Sequence, residues 1–128
     1  MIWVGGEDCG LAGAVQERVT QFAHRCVKLA LALPGAPLGR HVCGQLIRCS
    51  TGAAANYRAA GVAQSKAAWI AKLSIVIEEA DESCFWMEFA TDENLLPKKR
   101  VAGLLAEGNE LRSMFIAARH TSQGGGKS

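Results

Sequence analysis

Gly44-Gln45-Leu46-Ile47-Arg48-Cys49-Ser50-Thr51-Gly52-Ala53-Ala54-Ala55-Asn56-Tyr57-Arg58 is the stretch on which the fold of this chain turns. Leu46, Cys49, Ala53 and Tyr57 recur three and four residues apart, the period of one helix face. Most of the residues between them are small, which lets a neighbouring helix come close. Ser50, Thr51 and Asn56 lie among them and read as buried polar groups, bracketed by Arg48 and Arg58. Such groups need partners, because a buried unpaired polar group costs about 1–3 kcal/mol. The stretch predicts the middle and end of a tightly packed helix. It speaks of packing more than of chemistry.

Working outward, the same helix is expected from about residue 38 to 60, with Val42 extending its stripe and Gly61 at its C-terminal end. Upstream, Val15, Val19, Phe22, Cys26, Leu29 and Leu33 form a first apolar stripe, beginning near Leu11 and stopped by Pro34-Gly35-Ala36-Pro37. Downstream, Ser65 is placed to cap a third helix. Its inner stripe is Trp69, Leu73, Ile77, Ala80, Cys84 and Met87, with Ile70, Val76, Phe85, Trp86 and Phe89 partly off it. Residues 91–96 read as a polar connection. Pro97 suits the first turn of a fourth helix carrying Val101, Leu104, Gly108, Leu111, Phe115 and Ala118. The expected organisation is a flexible segment over 1–10, a bundle over 11–121 and a disordered tail over 122–128. Four helices of similar length with short links predict an all-α, antiparallel, up-down-up-down four-helix bundle.

Charge is unevenly spread although the net charge is only +2 over 128 residues. No acid lies between Arg18 and Ile77, where Arg25, Lys28, Arg40, Arg48, Arg58, Lys66 and Lys72 all occur. Glu78, Glu79, Asp81, Glu82, Glu88, Asp92 and Glu93 follow with no base among them, and then Lys98-Lys99-Arg100. The five cysteines, an odd number without a C-x-x-C pair, read as small buried hydrophobes in a reducing cytoplasm. His41 and Cys43 lack the second ligand pair that zinc needs, so no metal or cofactor is expected. The N-terminus lacks the basic flank and apolar run of a signal peptide, and no apolar run is long enough to span a membrane.

Reflecting the chain about each loop places Arg25, Arg48, Glu78 or Glu79, and Leu111 near the same height. Arg48 then meets Glu79 or Glu82, with Glu110 and Arg112 close by, and Asn56 finds Gln16, Ile70 or His120. A layer of this kind more often fixes register than does chemistry. Arg48 is expected to be structural: if it lies in a layer with Glu79 or Glu82, its removal leaves a buried carboxylate unpaired, and Arg48→Ala lowers the melting temperature sharply.

Several motifs together resemble a known family, the 23S rRNA intervening-sequence proteins, usually called four helix bundle proteins. Gly44-Gln45-Leu46-x-Arg48 and Ala54-Ala55-Asn56-Tyr57-Arg58 resemble its Q-L-x-R-S…S-I-A-x-N signature. Glu79-Ala80-Asp81-Glu82-Ser83-x-Phe85-Trp86-Met87 resembles its third-helix E-A-x-E-T-x-Y-W-L, and Leu29-x-x-x-Leu33-Pro34 its L-P helix end. Glu107-x-x-Glu110-Leu111-x-x-x-Phe115 resembles its E-x-x-E-L-x-x-I-F. Cys49 stands where serine is usual, Thr51-Gly52 replaces Ser-Ile, and Ala59 replaces a frequent glutamate. The resemblance implies a bundle that assembles into a ring, often a pentamer. Through a distant relative, the accessory variability determinant of diversity-generating retroelements, it also implies nucleic-acid binding and a reverse-transcriptase partner.

Two functions follow from these readings. The first is a non-enzymatic homo-oligomer, a pentamer-like ring, that binds RNA or DNA through basic helix faces, with Arg40, Arg58, Lys66 and Lys72 as contacts. The alternative is a scaffold for protein assembly without nucleic acid, in which those cations are solvated or meet a neighbour's acids. In both, Arg25, Arg48, Asn56, Glu79 and Glu82 form the structural polar layer, and the surplus of apolar residues puts Trp86 and Phe89 at the subunit contact. An enzyme would need Arg25, Arg48 and Arg112 to hold an anion beside Glu79 as base, and a salt-bridge layer explains the same residues. No di-iron Glu-x-x-His, P-loop, G-x-S-x-G or H-E-x-x-H motif is present. His24, His41 and His120 are scattered.

Overall fold

The computed structural model describes residues 9–124, with side chains from residue 13 onward. The readings made above for residues 1–8 and 125–128 therefore lie outside the described residues. Four helices run in sequence: α1 (Cys9–Leu31), α2 (Pro37–Gly61), α3 (Lys66–Asp92) and α4 (Lys98–Ser122). Each packs on the next, and α1 closes against α4 in the sparsest contact of the four, which makes an all-α up-down-up-down bundle.

Each link has a local cause. Pro37 occupies the first turn of α2, where its missing N–H costs nothing. Gly39 faces back onto the α1–α2 link: a Cβ there would stand 1.9 Å from the Pro34 carbonyl oxygen, so only glycine fits. Ser65 caps α3, its hydroxyl accepting from the Ala68 N–H at 3.1 Å. At the far end of α3, Asn94 takes the left-handed conformation (φ 59°). The Asn94 N–H donates to Thr91 and the Leu95 N–H to Ala90, closing a Schellman motif. Pro97 precedes α4 in extended conformation rather than lying within its first turn. The connection after α3 is less polar than its composition suggests, since Leu96 is buried.

The predicted stripes form the core. Val19, Phe22 and Cys26 of α1 meet Leu46, Cys49 and Ala53 of α2, Leu73 and Met87 of α3, and Leu111 and Phe115 of α4. Val76, off the predicted stripe, is fully buried because α3 packs against both α2 and α4. Gly108 is where α4 admits the Phe22 ring: a Cβ there would lie 2.8 Å from Cys84 Sγ and 3.1 Å from the ring. At one end of the bundle Tyr57 packs against Phe115 (5.3 Å between ring centres) and Trp69 (6.3 Å). The Trp69 indole donates to the Ser122 hydroxyl at 2.8 Å, so the end of α4 is tied to the start of α3. At the other end the aromatic rings lie on the surface.

Candidate functional site

The polar layer expected around Arg48 forms on the α2–α3 edge, and small residues make it possible. Gly52 gives the Glu79 carboxylate its place: a Cβ at Gly52 would stand 2.4 Å from Glu79 Oε2. Arg48 then reaches Glu79 (3.4 Å) and, more closely, Glu82, while also donating to the Gln45 side chain at 3.0 and 3.2 Å. Glu82 in turn accepts from the Trp86 indole at 3.1 Å. The layer is buried only in part: the side chains of Arg48 and Glu82 are 50% and 34% exposed, that of Glu79 18%. Water reaches Arg48 and Glu82, so the loss on removing Arg48 is expected to be smaller than for a buried pair.

Two residues assigned to this layer lie elsewhere. Asn56 donates to the Gly52 carbonyl one turn below it, at 2.9 Å, and not to Gln16 or His120. Ser50 is buried, but Thr51 is exposed and bonds back to Ile47 at 2.6 Å. Arg25 is only one loop away from Arg48, but it sits on the opposite edge of the bundle, on the face of α1 turned toward Lys99 and Arg100 of α4. At the height of Glu107 and Glu110 the structure places Arg18 instead.

Arg18 grips Glu107 with two parallel bonds of 2.7 and 2.8 Å and takes Glu110 at 2.6 Å, joining α1 to α4. The bond to Glu107 raises the guanidinium's affinity for its proton, against the opposing effect of burial. The same bond holds the Glu107 carboxyl below its usual range. Arg112, expected near Arg48, pairs with Asp81.

Further along the α1–α4 edge the balance of charge is different. Arg25 and Lys28 of α1 face Lys99 and Arg100 of α4 across a groove of about 370 Å³, floored by Leu29, Gly103 and Leu104. No acid lines it. Glu107, whose carboxylate also feels the charge of Arg25, is already held by Arg18. The first turn of α4 carries Lys98, Lys99 and Arg100 and no acid. Cations at a helix N-terminus oppose the helix dipole, each by roughly 0.3–1 kcal/mol. Among the described residues, none of the four groove cations lies within ion-pair distance of a carboxylate. Lys98 turns the other way, into a separate groove with Glu88 and Asp92 on the α3–α4 edge.

The cations expected to contact nucleic acid do not converge. Arg40 is exposed at the start of α2 and donates to the Gly35 carbonyl. Lys66 is exposed at the start of α3, at the opposite end of the bundle. Arg58 lines a cleft of about 380 Å³ between α1 and α2, with Gln16, His24 and Thr51. Lys72 is half-buried on α3. The tighter cluster was half visible in the sequence: the run Lys98-Lys99-Arg100 stood out, but nothing placed it opposite Arg25.

Trp86 and Phe89 are half-buried, and Phe85 beside them is 49% exposed. The three rings pack together at 4.8–5.8 Å between centres, and His41 meets Trp86 at 5.5 Å. This aromatic surface lies on the α2–α3 edge, at the same end of the bundle as the cationic groove but across the bundle from it. Cys26, Cys49 and Cys84 are buried, and burial pushes their thiols up to about 12, 11 and 11, which makes them inert at neutral pH. Ser83 donates to Cys49 Sγ at 3.2 Å. Among the described residues, no set of three His, Cys, Asp or Glu is placed to hold a metal ion. Among them, too, no helix is long and apolar enough to cross a membrane.

No protein-family model matches the chain, and no curated protein does. Among solved structures it is similar to a protein of unknown function from the S23 ribosomal protein family of Bacteroides thetaiotaomicron. The two are 28% identical with a TM-score of 0.77, over 82% of this chain and 97% of that one.

Proposed function

We propose that this chain is a non-enzymatic member of the S23 ribosomal protein family that assembles with copies of itself and binds RNA or DNA through its cationic surface. The 28% identity and the shared four-helix fold support the family. The observation that carries the nucleic-acid reading is how the cations divide. Arg18, Arg48 and Arg112 are held by carboxylates, whereas Arg25, Lys28, Lys99 and Arg100 gather on one edge with none. Phosphates attract cations presented in this way, largely regardless of sequence, with release of counterions. The non-enzymatic part follows the sequence, which carries no P-loop, G-x-S-x-G or H-E-x-x-H motif.

Self-assembly rests on the Phe85–Trp86–Phe89 surface, because large aromatic residues beside an arginine are what binding hot spots are made of. That surface also favours the second reading, a scaffold without nucleic acid. Fluorescence anisotropy with a labelled single strand and a labelled duplex, at about 50 and about 200 mM salt, separates the two. Binding that weakens steeply with salt supports nucleic-acid recognition; no binding at the lower salt leaves the scaffold. Light scattering tests assembly. Phe89→Glu is expected to lower the mass while leaving helix content intact, and a wild-type monomer at micromolar concentration would end the assembly reading.

A further inference from the structure

We infer that the α1–α4 groove is the site that takes the phosphodiester backbone of a nucleic acid, with Arg25 and Lys28 on one wall and Lys99 and Arg100 on the other. The inference rests on the nucleic-acid reading above and goes further, because it moves the contact away from Arg40, Arg58, Lys66 and Lys72 to one place. Three features of the groove ask for a polyanion. Four cations from two helices face one space that no acid lines. Two of them stand in the first turn of α4, where the helix dipole already repels positive charge and the sequence supplies no acid to offset it. Local rules of stability are broken there, and such breaches concentrate at functional sites.

The third feature is Gly103. It lies inside α4, where glycine weakens a helix. The glycines at 39, 52 and 108 each abut an atom that a Cβ would strike, but a Cβ at Gly103, as at Gly44 inside α2, would meet nothing within 4 Å. The packing of the fold does not demand it. Its effect is to leave the floor of the groove clear and the α4 backbone accessible.

The chemistry of the walls selects nucleic acid over an acidic protein. A protein partner needs apolar surface to bury at the centre of its contact. Leu29 and Leu104 offer little of it, being only 6% and 5% exposed. A phosphate chain needs only charge and room. No aromatic side chain lines the groove, so bases have no stacking platform and recognition follows the backbone rather than the sequence.

The test uses the full chain, a labelled single strand and a labelled duplex, and four proteins: wild type, Lys99→Ala/Arg100→Ala, Gly103→Gln and Arg40→Ala/Lys66→Ala. Gly103→Gln fills the groove without removing a charge. Lys99→Ala/Arg100→Ala is expected to weaken binding at least tenfold and to make the dependence of log K on log salt shallower by about 0.7 for each cation lost on the single strand. Gly103→Gln is expected to weaken binding as well, and Arg40→Ala/Lys66→Ala to change it less than threefold. Circular dichroism guards against trivial unfolding. Both groove variants should melt at or above the wild-type temperature, since one relieves repulsion at a helix start and the other removes a glycine. Groove variants that bind like the wild type, while Arg40→Ala/Lys66→Ala loses affinity, would overturn this assignment and leave the nucleic-acid reading standing. A wild type that binds neither probe at low salt would defeat that reading itself. Groove variants that lower the mass in light scattering without changing nucleic-acid affinity would assign the groove to a neighbouring subunit's acidic helix end instead.

Discussion

The α2–α3 and α1–α4 edges of this bundle solve the same packing problem in different ways. On the α2–α3 edge, Gly52 brings the helices close enough for Glu79 to fold against the α2 backbone, and Arg48 lies over Glu79 and Glu82 as an outer strap. Arg48 there has its acids. The α1–α4 edge joins the first helix to the last, and its contact is the sparsest. It is held at mid-height by Arg18 on Glu107 and Glu110 and by the Phe22 ring seated on Gly108, and at one end it opens into a groove of uncompensated cations. Close packing with paired charges marks structure, and loose packing with unpaired cations marks the surface proposed above for binding.

If this contrast is right, the α1–α4 edge has few supports and each matters. Gly108→Val has the largest expected effect. Its side chain would be forced into Cys84 and Phe22, which are both buried and cannot turn away. Overpacking of this kind costs about 1–3 kcal/mol, and at the upper end it lowers the melting temperature by roughly 10 °C. Thermal denaturation within a degree or two of wild type would show that the edge is looser than described.

Arg18→Ala comes next. Its pair with Glu107 is bidentate and only partly exposed, so the loss should fall between that of a surface and a buried ion pair, about 1–2 kcal/mol. The pair also sets a pH dependence. Because the folded state holds the Glu107 carboxyl below its ordinary value, the stabilisation is fully present above about pH 4.3 and is lost as pH falls through the depressed value. Glu107→Gln should therefore be less stable than wild type at neutral pH, and the gap should close in acid. Urea titrations at neutral and acid pH measure it, and a constant gap would place the contribution of Glu107 outside its ionisation.

The four helices were legible because each carries a sustained three-and-four stripe bounded by proline, glycine or a serine cap, and those signals are local. The Arg48 network was legible because α2 and α3 are consecutive, so one reflection about a short loop suffices. The α1–α4 edge was not. Arg18 meets Glu107 and Glu110 across helices related only through three loops, and Arg25, one loop from Arg48, lies on the α4-facing side of α1, a facing that reflection about a loop does not specify. Burial around Asn56 and Thr51 was misjudged for another reason: hydroxyl and amide side chains on a helix can turn back onto the carbonyl one turn away, which satisfies them without a neighbour.

The same contrast ranks the α2–α3 edge as the less sensitive one. Arg48→Ala should lower the melting temperature less than Arg18→Ala does, because half of the Arg48 side chain is in water and close packing beneath it remains. The reverse order would return Arg48 to the central place that its motif suggests.

Gly52→Ala is expected to have the smallest effect, although a Cβ there would come within 2.4 Å of Glu79. The atom in the way is the end of a flexible side chain on a partly open edge, and a rotamer change can move it into water. That displacement weakens the 3.4 Å contact of Glu79 with Arg48, whose side chain is half exposed and keeps Glu82, so the loss is small. Against it stands the gain in helix propensity from glycine to alanine, about 1 kcal/mol. The two nearly cancel, leaving stability within roughly 0.5 kcal/mol of wild type. Adding Arg48→Ala to Gly52→Ala sharpens the point. If the methyl acts only by pushing Glu79 off Arg48, its destabilising part vanishes once Arg48 is gone, and the double variant should be more stable than Arg48→Ala alone. A double variant that loses the full sum of further stability would mean that the α2 backbone, not the Glu79 side chain, gives way, and that the close approach of these two helices is less rigid than the α2–α3 packing implies.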